Sequence, residues 1–139
     1  TYQEHAFHKS LSKALFSTLG LGLLGLTLVS PLRKIVRSFL RKPGEGPSLE
    51  ARENGWFDCK YLVESEDGQK SLYRMYGAGD PGYKLTAQFV SESALCLLIE
   101  KDKLPGGQEY GGVLTTASGM GESLILRLRN AGIGFEKIG

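Results

Sequence analysis

The sequence predicts an α+β fold, with an antiparallel hairpin and short strands packed with two amphipathic helices, preceded by an apolar, membrane-like helix. Three observations predict it. Residues 56–65 and 70–77 alternate apolar and polar side chains, and Glu66-Asp67-Gly68 between them is a turn signal. Residues 87–98 and 124–131 carry apolar side chains at helical spacing. Residues 14–32 hold no charge at all. A chain of 139 residues is long enough for one domain with a real core.

Residues 1–13 form a polar lead-in. His5 and His8 would share a helix face, but with no carboxylate or third histidine beside them they do not read as a metal site. Ala14 to Leu32, as a helix rising ~1.5 Å per residue, would be ~28 Å long, close to the ~30 Å thickness of a bilayer's hydrocarbon. Lys13 precedes it, and Arg33, Lys34, Arg37, Arg41 and Lys42 follow. If the segment spans, that basic excess puts its C-terminal flank in the cytoplasm. The glycines, the Ser/Thr residues and Pro31 equally suit a re-entrant hairpin or a core helix. After Pro31, Ile35, Val36, Phe39 and Leu40 fall on one side of a short helix and Arg33, Arg37 and Arg41 on another. This is the pattern of an interfacial helix, or of a cap with a solvated basic face. Within residues 14–42, the side chains expected to meet lipid are Leu21, Leu23, Leu24, Leu26, Arg33, Lys34, Arg37, Arg41 and Lys42.

The same run contains Gly20-Leu21-Gly22-Leu23-Leu24-Gly25, which matches the G-x-G-x-x-G pattern of dinucleotide-binding loops. That pattern has meaning only after a strand and before a helix, with an acid about twenty residues on. Here residues 10–19 read as helix, Pro31 follows closely, and Glu45 lies in a loop. The match reads as accidental.

Residues 43–55 form a hinge and a short turn: Pro43-Gly44-Glu45-Gly46-Pro47 ends helical structure, and Ser48 is suited to cap a turn through Leu49-Glu50-Ala51-Arg52. Residues 56–139 are the α+β domain. Its first strand alternates Phe57, Cys59, Tyr61 and Val63 against Asp58, Lys60 and Glu64, and its second contains Leu72, Tyr73, Met75 and Tyr76. The second strand runs into Gly79-Asp80-Pro81-Gly82-Tyr83, a tight turn delivered to a helix for which Thr86 is the expected cap. Ala87, Val90, Ala94, Leu97 and Leu98 form the expected core stripe of that helix. A loop at a helix N-terminus favours anions, so phosphate or carboxylate binding is expected there. Residues 101–112 read as loop and 113–116 as a short strand, and Leu124, Leu128 and Ala131 line a second helix. Gly132 ends that helix in the left-handed conformation, before a final strand over 134–138.

The net charge of +2 hides an asymmetry, since residues 1–42 hold seven Lys/Arg against Glu4, and residues 43–139 hold ten against fourteen acids. The basic half is the half with the apolar run, the pairing expected at an anionic lipid surface. No nucleic-acid recognition motif accompanies it. Cys59 and Cys96 have no metal-type spacing and read as free thiols in a reducing compartment, with one disulfide as the alternative. No catalytic triad and no phosphate-cradling P-loop is evident. Around the central turn the weak catalytic candidates are Asp80, Tyr83, Lys84 and Thr86: Asp80 suits a turn cap, and Tyr83 a proton donor to a developing anion.

Gly79-Asp80-Pro81-Gly82-Tyr83, Glu92-Ser93-Ala94-Leu95-Cys96, Asp102-Lys103-Leu104-Pro105 and Gly112-Val113-Leu114-Thr115 together resemble the C-terminal region of the saccharopine dehydrogenase-like oxidoreductases, which include trans-acting enoyl reductases. The resemblance takes in Gly46-Pro47-Ser48, Arg52-Glu53 and Gly55-Trp56-Phe57 upstream, and Leu124-Ile125, Arg127-Leu128, Ala131-Gly132-Ile133 and Phe135 downstream. One departure is Thr116, where the family pattern has proline. The resemblance implies a longer protein, of which this chain, beginning at Thr1 without a cleavable signal pattern, is the C-terminal part. It implies that the family's Rossmann domain and its NAD or NADP lie outside this chain, with that nucleotide-binding domain as a partner and a homodimer as a further expectation. To the membrane association on the cytoplasmic side expected from the apolar run and its basic flank, the resemblance adds lipid droplets in a eukaryote. A non-catalytic lipid-surface scaffold and a membrane-tethered binding module are the alternatives.

Overall fold

A computed structural model describes residues 3–40, 42, 44–107 and 109–139, so Arg41 and Pro43, both singled out above, lie outside the described residues. The chain divides into two compact units, Thr1–Gly46 and Pro47–Gly139.

The first unit contains α1 (Leu11–Val29) and α2 (Arg33–Phe39). The Ser10 hydroxyl accepts from Lys13 N at 3.4 Å, so α1 starts one turn before the uncharged run. It ends at Ser30, beyond which Pro31 has no amide to continue the ladder. Three hydroxyls of this apolar helix and its C-cap bond back to the helix's own carbonyls. Thr18 Oγ1 donates to Ala14 O at 2.9 Å, Thr27 Oγ1 to Leu24 O at 2.8 Å, and Ser30 Oγ to Thr27 O at 2.9 Å. A hydroxyl bonded back to its own helix costs far less in an apolar medium than a bare one. These three hydroxyls therefore do not count against lipid contact. No residue of α1 is buried, and its length and mean hydropathy of 1.5 suffice to cross a membrane.

The second unit contains α3 (Leu49–Glu53), β1 (Trp56–Glu64), β2 (Lys70–Ala78), α4 (Lys84–Ile99), a 3-10 turn at Lys101–Lys103, α5 (Thr116–Asn130) and β3 (Gly134–Lys137). Ser48 caps α3 as expected, accepting from Ala51 N at 3.2 Å. Among the described residues the strands form one antiparallel sheet in the order β1-β2-β3, with Cys59 opposite Met75 and Met75 opposite Phe135. Gly68 takes the hairpin turn at φ 81°. The strand period puts Phe57, Cys59, Met75, Gly77 and Phe135 on one face and Asp58, Arg74, Tyr76 and Glu136 on the other. The first face packs on the helices. Leu85, Cys96, Met120, Leu124, Leu128 and Ile133 form the core, with Phe57, Met75, Phe89, Leu104 and Phe135 against it. Phe57 and Phe89 meet edge to face at 6.1 Å.

α5 closes as the sequence predicts. Gly132 has φ 92°, its amide donates to Arg129 O at 3.0 Å, and Ile133 N donates to Leu128 O at 2.9 Å. This is a Schellman motif, with its apolar contact made by Ile133 and Leu128 in the core.

Two expectations are corrected. Residues 113–115 are not a strand: Thr115 and Ser118 cap each other reciprocally, and Thr116 is the first helical residue. A reciprocal cap satisfies two otherwise orphaned amides, and this wins over the weak strand preference of three residues. It also explains Thr116 at a position suited to proline, because the first helical residue needs no amide partner. The stripe Ala87, Val90, Ala94, Leu97 and Leu98 faces solvent, with Val90 64 % and Leu98 66 % exposed. α4 is buried instead through Leu85, Phe89 and Cys96. Two polar residues turn the same way because they have partners: Gln88 Nε2 donates to Ala131 O at 2.6 Å, and Glu92 accepts from Arg127 Nε at 2.9 Å.

On the open sheet face, Arg74 Nε and Nη2 each donate to Asp58 at 2.9 Å, and Nη1 lies 3.8 Å from Glu136. The guanidinium holds the Asp58 carboxyl below its ordinary value of 3.8. A carboxylate depressed on folding stabilises the native state above its unfolded pKa, and that contribution is lost as pH falls through the lower, folded value. Arg74→Gln should therefore shrink the gap between urea midpoints measured at pH 7 and at pH 3. An unchanged gap would remove this pair from the stability of the fold.

Candidate functional site

β2 delivers the chain to the turn before α4, where the sequence places its four candidates. Asp80 N donates to Arg52 O at 2.8 Å, and Gly79 N donates to Gly55 O, which ties the turn to the end of α3. Asp80 Oδ2 accepts from Tyr83 N at 2.8 Å, and its carbonyl accepts from Leu85 N at 3.0 Å. The anion that this helix start attracts is thus the chain's own carboxylate. α4 begins at Lys84, before the expected cap, and Thr86 lies inside it, donating from Oγ1 to Pro81 O. This corrects the capping role given to Thr86, since the turn closed by Asp80 starts the helix three residues early. Lys84 pairs with Glu53, and Tyr83 is 54 % exposed. The four candidates share one turn, and three of them are engaged in holding it together.

A cavity of about 540 Å³ lies elsewhere in this unit, between the sheet and α5. Met75 and Phe135 form its sheet wall; Leu124, Ile125 and Leu128 form its helix wall; Thr116, Ala117, Glu122 and Arg129 complete the lining. Its shape depends on Gly121, which breaks the helical run of α5 at φ 51°, ψ −132°. A side chain there would be strained, and its Cβ would come within 2.9 Å of Pro105. Arg129 Nη2 donates to Phe135 O at 3.2 Å, and its guanidinium lies 5.9 Å from the Phe135 ring centre. The trough is open on one side and combines apolar walls with one carboxylate, Glu122, and one guanidinium, Arg129, the latter held against Phe135. Leu124 and Leu128 were legible as core residues, but the trough was not. The one sequence signal is the pair Gly119 and Gly121 inside a helical pattern.

The Gly20–Gly25 stretch lies wholly within α1 and among the described residues no strand precedes it, so it lacks the strand-to-helix turn in which that pattern holds a dinucleotide. Among the described residues no cluster of three His, Cys, Asp or Glu could hold a metal ion. Cys59 is exposed and Cys96 buried, both free. Burial pushes the Cys96 thiol up, away from the reactive thiolate. A thiol-labelling assay on the native chain should modify Cys59 alone and, in denaturant, Cys96 as well. Rapid native labelling of both would contradict the packing of α4.

Comparison with known proteins finds relatives that share one name. The chain is 39% identical, over 75% of its length, to a Mycobacterium tuberculosis protein provisionally named a trans-acting enoyl reductase, covering 24% of that relative. It is 36% identical to the trans-acting enoyl reductase of Mycobacterium ulcerans over 66% of this chain and 21% of the relative. It is 35% identical to that of Mycobacterium bovis over 73% of this chain and 23% of the relative. The chain thus spans about a quarter of the length of the curated relatives it matches. No family profile and no solved structure matches it.

Proposed function

We propose that this chain is part of a trans-acting enoyl reductase, within the wider saccharopine dehydrogenase-like group, that reduces the conjugated double bond of an acyl thioester. The observation that carries this reading is the similarity to relatives of that name across three quarters of the chain. The trough between the sheet and α5 supports it, since an apolar wall of this volume suits an acyl chain. The reductant, NAD or NADP, is bound by residues outside this chain, in a nucleotide-binding domain of the same protein that is the natural partner of the α+β unit.

Residues 14–42 hold the protein on a lipid surface, on the cytoplasmic side of a membrane or on lipid droplets in a eukaryote. Support comes from the unburied apolar helix α1, the Thr18 and Thr27 hydroxyls bonded back to it, and the basic residues that follow it. The test is an assay of the full-length gene product with NADH or NADPH and a 2-enoyl thioester. Consumption of the dinucleotide with formation of the saturated thioester is expected. A full-length product that is folded and binds the dinucleotide, yet leaves the double bond intact, would replace this reading with that of a non-catalytic lipid-surface scaffold.

A further inference from the structure

β1 is an edge strand of nine residues, and among the described residues no strand pairs with its outer side. Of the devices by which edges are usually blunted it carries charge, at Asp58, Lys60 and Glu64, which restricts pairing to a strand of complementary charge. Its register with β2 is continuous, without a bulge, and it contains no proline. Trp56 is 73 % and Leu62 67 % exposed.

The direction of its backbone groups follows from the two hydrogen bonds that flank the ladder. Ser65 N donates to Gln69 O at 3.0 Å, and Gly79 N donates to Gly55 O. Odd-numbered residues of β1 therefore turn their amides and carbonyls toward β2, and residues 56, 58, 60, 62 and 64 turn theirs outward.

We propose that this edge pairs antiparallel with the same edge of a second copy of the chain, about a two-fold axis at Cys59. In that register Asp58 lies opposite the partner's Lys60, Phe57 opposite the partner's Tyr61, and Trp56 opposite the partner's Leu62. Each pair occurs twice and keeps its side chains on one face, so a continuous six-stranded sheet results. The outward groups of residues 56, 58, 60 and 62 then exchange hydrogen bonds across the axis. The Asp58 carboxylate, already paired with Arg74, keeps 32% of its side chain exposed for a second cation. Competing registers are poorer. Centring on Asp58 or on Lys60 sets like charges face to face, and centring on Tyr61 sets Asp58 against Glu64. Centring on Leu62 sets Lys60 against Glu64 but pairs only residues 60–64 of the strand. Like charges directly opposite destabilise strand pairs, and opposite charges or apolar pairs stabilise them. The inference stands independently of the functional reading.

The test is thiol cross-linking of the 139-residue chain in detergent with a short bis-methanethiosulfonate. Cys59 is exposed and Cys96 buried, so the reagent reports on Cys59. Residues directly opposite in such a pair have Cβ atoms about 4.5–5.5 Å apart, within its reach. A covalent dimer is expected in the native chain. Lys60→Glu and Asp58→Lys should each lower the yield about tenfold, the effect of turning two attractive pairs into repulsive ones. An equimolar mixture of the two variants should restore the yield, because every acid then faces a base. In a Cys59→Ser background, Glu64→Cys should not cross-link to itself, since the proposed register separates those positions by about 33 Å. Absence of the Cys59 dimer, or cross-linking through Glu64→Cys, would overturn the proposal. If Asp58→Lys fails to fold for want of its Arg74 pair, Lys60→Glu decides alone: undiminished cross-linking would mean that another strand or another face holds the copies together.

Discussion

Leu85→Ala should cost the α+β unit about 2–5 kcal/mol, the range for truncating a fully packed leucine. Leu85 is 2% exposed, and its side chain packs where the sheet meets α4: a Cβ on Gly77 would lie 3.4 Å from Leu85 Cδ1. In a unit of this size each kcal/mol moves Tm by about 4–8 °C, so the midpoint should fall by roughly 8–40 °C. Thermal unfolding of the 139-residue chain, followed by near-ultraviolet circular dichroism, reads this directly. Leu98→Ala on the outer side of the same helix should move the midpoint little, because Leu98 is 66% exposed. Equal losses at the two positions would mean that α4 is rotated from the orientation described here.

Replacing Leu21, Leu23, Leu24 and Leu26 together by Ser should abolish flotation with liposomes at any ionic strength. A buried leucine is worth about 1.5–3 kcal/mol, so four of them account for most of the hold of α1 on an acyl layer. Neutralising Arg33, Lys34, Arg37, Arg41 and Lys42 to Gln should act differently. Each basic residue near an anionic surface contributes about 1 kcal/mol, screened by salt, so binding to anionic vesicles should weaken but persist. Artificial droplets belong in the same experiment, because a hairpin or surface-lying helix can enter a monolayer and a bilayer-spanning one cannot. If the wild-type chain stays at the bottom of the gradient with both, α1 is no lipid anchor.

The hairpin and the end of α5 were legible because their signals are local. Asp67-Gly68 demands one kind of turn, and Gly132 demands a left-handed residue at a helix end. α4 was not legible in the same way. Ala87, Val90, Ala94, Leu97 and Leu98 form one apolar stripe, but Leu85, Phe89 and Cys96 form another, and periodicity cannot choose between two apolar sides of one helix. The choice came from polar partners far along the chain: Arg127 for Glu92, and the carbonyl of Ala131 for Gln88. The start of α5 was hidden because Thr115 and Val113 look like strand residues until the hydroxyls of Thr115 and Ser118 are seen to cap a helix. The trough was hidden for a different reason. It is made by the meeting of Met75 and Phe135 with Leu124, Ile125 and Leu128, distant segments that share no motif. At the central turn the capping role of Asp80 was legible, and the start of the helix and the role of Thr86 were not. The Asp80 carboxylate takes the Tyr83 amide, and the Asp80 carbonyl takes that of Leu85, so two amides of the turn are already engaged.

The central claim is that the trough between the sheet and α5 receives the acyl chain of an enoyl thioester. Ala117 lines the trough but is exposed and outside the core, so Ala117→Trp should fill the trough without loosening the fold. The decisive measurement is the dependence of kcat/KM on acyl length in the full-length protein, from four carbons to sixteen, for wild type and Ala117→Trp. The wild type should favour the longer thioesters, and the variant should lose that preference, about tenfold or more in kcat/KM for the longest chain, while the four-carbon substrate is turned over as before. Equal loss at every length, or no loss at any, would contradict the account and leave the acyl chain with no place in this unit.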